Sequence, residues 1–101
     1  MRIIVALRPT NKHGTKGEYT AFRKLLLASG LVLVQPEVFL GCAPTRRAAM
    51  LLLERLKEQA PTTGAVCALV LTERQFSSMV YLTGEPSYQE HSVGTAANID
   101  L

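Results

Sequence analysis

Aspartate is almost missing from this chain. Asp100 is the only one in 101 residues, and it lies near the C-terminus. A Ser/His/Asp or Cys/His site therefore has little material. Metal-dependent phosphodiester chemistry needs carboxylates to hold the ion and position water, and Glu37, Glu85 and Glu90 are scattered. Cysteine is scarce too. Cys42 and Cys67 belong to no CxxC pair and no Cys/His cluster, and His13 and His91 have no ligand spacing to them. This excludes a readable zinc site, and reduced, buried thiols are expected. Long apolar runs are absent: Leu31–Val34 and Ala65–Leu71 are too short to span a bilayer. No Gly-rich phosphate loop follows a strand, because Gly14 and Gly17 lack the GxxxxGK[ST] pattern. Met1-Arg2-Ile3 passes directly into a strand-like run with no signal-peptide pattern, so the cytoplasm is the expected compartment.

What is present is globular. Apolar residues make up 48% of the chain and charged residues 19%. The length suits one domain. Charge is uneven. Residues 1–57 carry ten of the eleven Lys and Arg and three of the eight acids, whereas residues 58–101 carry only Arg74 and five acids. Halves of opposite sign suggest an anionic partner for one face, or complementarity between subunits.

Residues 2–8 read as a buried strand, and Pro9 to Gly17 as a loop. Residues 18–29 read as a helix. Tyr19, Phe22, Leu25, Leu26 and Ser29 lie on its inward stripe, Glu18 in its first turn favours the dipole, and Gly30 stops it. Residues 31–42 are extended. Pro36 forbids a straight central strand, leaving a bent edge strand or two short ones. Residues 45–59 read as a second helix capped by Thr45, with Ala48, Ala49, Leu52, Leu53 and Leu56 inward. Residues 65–71 read as a buried strand. Thr72-Glu73-Arg74-Gln75 is a capping box opening a one-turn helix, and Met79–Leu82 reads as a last short strand. The order fits an α+β, ferredoxin-like sandwich: an antiparallel sheet with two helices on one face.

The stretch VALRP, residues 5–9, ends the first strand on Arg8 and Pro9 with no carboxylate. Arg8, Lys12, His13 and Lys16 cluster at this tip and in the loop that leads to a helix N-terminus, where free N–H groups attract phosphate. Arg46 and Arg47 open the second helix, where cations oppose the dipole, which hints at an acidic or phosphate partner. These five arginines and lysines, Arg8, Lys12, Lys16, Arg46 and Arg47, are the candidate nucleic-acid contacts. Such contacts carry no sequence information. A solvated basic loop is the competing reading.

The segments EYTAFRKLLLASGLVLVQPEVF (18–39), CAPTRRAA (42–49) and LTERQFSSMVYLTGE (71–85) resemble the small CRISPR-associated protein called Cas-two, closest to the form of type II systems. Tyr19, Phe22, Arg23, Lys24, Gly30, Gln35, Val38, Phe39, Thr72, Glu73, Gln75 and Phe76 carry the resemblance, which runs from residue 1 to about residue 85. It implies a homodimer with a core over residues 1–85 and a C-terminal tail, 86–101, that crosses to the partner. Val93, Ile99 and Leu101 would then serve the dimer or integrase interface. It implies a role in adaptation: the dimer bridges two dimers of the Cas-one integrase, and together they hold duplex DNA for insertion. It also implies, for some members, a metal-dependent nuclease whose aspartate ends the first strand. Aligned on Pro9, that position is Leu7; aligned on strand length, it is Arg8. No catalytic and no metal-binding residue is therefore expected, and no cofactor. Magnesium enters only under the alternative reading of a nuclease. A ferredoxin-like regulatory or toxin-like module outside CRISPR is the third reading.

Overall fold

The computed structural model describes residues 1–10 and 16–85, the side chain of Lys16 excepted. Seven elements follow in order: β1 (Arg2–Arg8), α1 (Lys16–Ala28), β2 (Val32–Gln35), β3 (Val38–Cys42), α2 (Arg46–Glu58), β4 (Ala65–Leu71) and α3 (Glu73–Ser77). The sheet has the strand order β2-β3-β1-β4, and every neighbouring pair is antiparallel. This is the expected ferredoxin-like α+β arrangement. Among the described residues, no helix is long and apolar enough to cross a membrane.

The alternation of a strand decides which side is core. Ile3, Val5 and Leu7 of β1 join Tyr19, Phe22 and Leu26 of α1, Phe39 of β3, and Ala49 and Leu56 of α2 in one buried cluster. Both long helices thus cover the same face, and their apolar stripes fall where the sequence periodicity puts them. The other face of β1 carries Arg2, Ile4, Ala6 and Arg8. Across the ladder it continues through Leu40 and Cys42 of β3 and through Cys67, Leu69 and Leu71 of β4. Among the described residues, no long helix packs on this second face.

The connections obey local chemistry. Thr45 caps α2 by accepting from the Ala48 N–H at 3.1 Å. Thr72 and Gln75 complete the capping box of α3 at 3.0 and 2.9 Å. Residues 31–42 form two strands, joined at Pro36 and Glu37. Proline presets the first corner, and Glu37 takes φ 65, the left-handed conformation of a type II turn. A bulge between Leu33 and Gln35 absorbs the resulting register shift.

Two expectations are corrected. Met79–Leu82 is not a strand: the described chain after α3 is irregular, and Val80 and Leu82 are 74% and 95% exposed. Its apolar composition satisfies a strand pattern, but a short apolar run does not by itself specify a strand. Cys42 and Cys67 are free thiols but not buried; both lie exposed on the second sheet face. An apolar run such as AVCALVL reads as covered on both sides, whereas here its middle is bare.

The tightest junction lies where β1 ends. Tyr19 is 2% exposed, and its hydroxyl donates to the Thr63 carbonyl at 2.7 Å and more weakly to the Arg8 carbonyl at 3.4 Å. Gly64, at φ +76, makes room for this: a Cβ there would sit 2.5 Å from the Arg8 carbonyl oxygen and overlap the Tyr19 hydroxyl. Replacing Tyr19 by Phe keeps the ring but strips the half-buried Thr63 carbonyl of its donor. The expected loss is about 1–2 kcal/mol in denaturant unfolding, and an unchanged midpoint would show that the ring alone holds the junction.

Candidate functional site

At the exit of β1 the chain presents one buried and one exposed residue. Leu7 points into the core at 7% exposure, and its N–H donates to the Glu37 carbonyl at 2.8 Å. Arg8 is exposed on the opposite face, paired in register with Ala65. Lys16 supplies the first residue of α1, so the helix starts two residues earlier than its periodicity suggests. Lys12 and His13 lie outside the described residues, as do His91, Val93, Ile99 and Leu101.

The acids of this end are already occupied. The Glu18 carboxylate accepts from the Thr62 N–H at 3.1 Å and from the Thr62 hydroxyl at 3.0 Å, tying the start of α1 to the α2–β4 turn. Thr10 and Thr63 hydroxyls meet alongside at 3.2 Å. The Glu37 carboxylate takes a two-pronged contact from Arg23, at 2.9 and 2.8 Å. That hydrogen bond raises the Arg23 pKa above its ordinary value, against the opposing effect of partial burial. Both partners are about one-third exposed, so the pair contributes on the order of 1 kcal/mol or less.

A metal centre does not fit these residues. Neither Leu7 nor Arg8 can ligate a cation, and Arg8 repels one. Among the described residues, no group of three or more His, Cys, Asp or Glu side chains could hold a metal ion.

The candidate basic residues do not form one patch. Arg8 closes β1, while Arg46 and Arg47 follow Cys42, which pairs with Arg2 at the opposite end of β1. Six strand steps, roughly 20 Å, separate those ends. Arg46 and Arg47 are exposed in the first turn of α2.

One cation passed over in the sequence is buried. Arg2 is 3% exposed. Its Nε donates to the Glu73 carboxylate at 3.0 and 2.8 Å, and its guanidinium lies 4.6 Å from the centre of the Phe76 ring. Among the described residues, its Nη1 has no hydrogen-bond partner. Glu73 and Phe76 belong to α3, so this contact draws α3 onto the second sheet face. No local pattern announces it, because the partners are 71 residues apart.

Most residues that carry the resemblance thus have structural tasks. Tyr19 and Phe22 fill the core, Arg23 holds the Pro36-Glu37 turn, Thr72 and Gln75 cap α3, and Glu73 and Phe76 hold Arg2. No protein-family model matches the chain. Curated relatives do match. A protein of Streptococcus mutans serotype c (strain ATCC 700610 / UA159), "CRISPR-associated endoribonuclease Cas2", is 36% identical over 86 residues, 84% of this chain and 79% of its own length. One of the same name from Acidovorax ebreus (strain TPSY) is 35% identical over 97 residues, 95% of both chains. The chain belongs to the Cas2 family. A third Cas2, from Ligilactobacillus salivarius (strain UCC118), is 29% identical over 86 residues, 84% of this chain and 85% of its own. Membership in Cas2 sets aside the regulatory or toxin-like module outside CRISPR.

Proposed function

We propose that this Cas2 is a non-catalytic, homodimeric scaffold of CRISPR adaptation that bridges Cas-one integrase dimers and helps hold duplex DNA. The exit of β1 carries this reading: where the family resemblance puts an acid, Leu7 is buried and Arg8 faces outward, and the nearby Glu18 and Glu37 are held by Thr62 and Arg23. The mechanism is geometric. A rigid dimer fixes the distance between two active sites that belong to its partner. Arg8, Lys12 and Lys16 neutralise phosphates at the end of β1, and Arg46 and Arg47 offer a second contact at the other end. Binding of this kind is blind to sequence and sensitive to salt.

The second sheet face and the edge of β4 support the dimer. Ile4, Leu69 and Leu71 form an apolar surface there, with Leu69 more than half exposed. Among the described residues, β4 pairs only with β1, and its other edge carries no ladder. The tail, 86–101, crosses to the partner, with Val93, Ile99 and Leu101 as its apolar contacts to the partner or to the integrase. Truncation after Glu85 is expected to weaken the dimer in sedimentation experiments; a truncated chain that dimerises like the intact one would remove the tail from the interface.

The relatives' printed name, endoribonuclease, favours a second reading, a metal-dependent nuclease. Incubating the pure protein with RNA and DNA, with Mg²⁺ or Mn²⁺ and with EDTA, separates the two. No cleavage above an EDTA control is expected, and robust EDTA-sensitive cleavage would overturn the scaffold-only reading. Changing Lys12 and Lys16 together to Ala is expected to weaken duplex binding and to lower the salt slope by about 2. Unchanged affinity and slope would take both lysines out of the site.

A further inference from the structure

We infer that the groove between α1 and α2 is a docking site for a partner protein, which it holds by an apolar side chain accompanied by a carboxylate. The inference rests on the scaffold reading, in which that partner is the integrase. It adds the surface and the chemistry of the contact. The starting point is a gap in the helix layer. α1 and α2 cover the same face of the sheet without packing closely on each other. Between them lies a groove of about 490 Å³. Leu25 of α1 and Leu52 of α2 stand half-buried in its walls, Ala28 and Ala48 line it with single methyl groups, and Pro44 lines it before α2 begins.

Charge points to the kind of occupant. Arg55 is the single charged residue lining this groove. It is exposed, and among the described residues no acid forms an ion pair with it. Glu54 and Glu58 border a separate recess on the outer side of α2, which Arg55 and Ala48 also touch. An uncompensated cation above leucine and alanine side chains matches an apolar residue flanked by a carboxylate. A nucleic-acid duplex does not match, because its backbone brings negative charge but no apolar group to fill the space.

Position points to the partner. The apolar surface that supports the dimer, with Ile4, Leu69 and Leu71, belongs to the opposite face of the sheet. The groove therefore stays open when two copies associate there, and a two-fold axis presents it twice. A bridge between two partner molecules needs two equivalent sites of this kind, both clear of its own dimer contact. In such a contact the buried apolar side chain supplies most of the affinity, and the charge pair at the rim sets orientation and speeds encounter. Arg55 also lies in the last turn of α2, where a cation favours the helix dipole. That structural task needs no groove, and the two are separable.

Ala28→Trp fills the groove and Arg55→Gln removes its charge; both positions are exposed. Each full-length variant is titrated with purified Cas-one integrase at several salt concentrations, with self-association and the unfolding midpoint measured alongside. Ala28→Trp is expected to raise the integrase dissociation constant at least about tenfold and to leave self-association unchanged. Arg55→Gln is expected to weaken binding at low salt and to flatten its salt dependence. An arginine that served only the helix would lower the unfolding midpoint and leave the salt dependence as it is. Ala28→Trp within about twofold of wild type overturns the docking site. Arg55→Gln with wild-type affinity at every salt concentration overturns the carboxylate. A wild-type chain that binds no integrase overturns the scaffold reading itself, and the docking site falls with it.

Discussion

A buried hydroxyl must find an acceptor, and much of this fold is arranged around where Tyr19 finds one. Its partner is the Thr63 carbonyl, in the turn between α2 and β4, with the Arg8 carbonyl behind it. One side chain from α1 thus gathers two connections, the exit of β1 and the α2–β4 turn. Gly64 is required by the same contact, because no side chain fits between the Arg8 carbonyl and the phenol. Glu18, one residue before Tyr19, repeats the tie through Thr62. Burial supplies the driving force for packing α1 on the sheet, but this hydroxyl determines how the ends of the elements meet.

The same end of the molecule is a strand exit without a carboxylate. Leu7 serves the core and Arg8 the surface, as strand alternation requires of neighbours. The nearby carboxylates of Glu18 and Glu37 act as fasteners. Glu37 sits at a left-handed corner that costs on the order of 1 kcal/mol or more for a residue with a side chain, and its contacts with Arg23 and with the Leu7 N–H hold it there. The residues that mark this chain as a Cas2 largely build the frame, and family membership is compatible with different chemistry at the β1 exit.

Legibility in the sequence followed the range of each interaction. Helix stripes, the Thr45 cap, the Thr72–Gln75 box and the break at Pro36 are encoded within a few residues and could be read directly. Glu18 was legible only as a charge near a helix start, since Thr62 lies 44 residues away. Arg2 resembled any cation at a chain start, and only topology brings Glu73 to it. The basic candidates looked like one group in the linear order, yet the sheet puts Arg8 and the Arg46–Arg47 pair at opposite ends. Met79–Leu82 and the two cysteines were misread for a common reason. Apolar composition reports that a surface wants covering, not that the same chain covers it.

That last point bears on how the protein survives in its host. β4 is seven apolar residues long, without a charge or a proline. An edge of this composition is a template for amyloid-like growth as much as for correct pairing. Left uncovered, a strand of this composition is open to aggregation and to proteolysis.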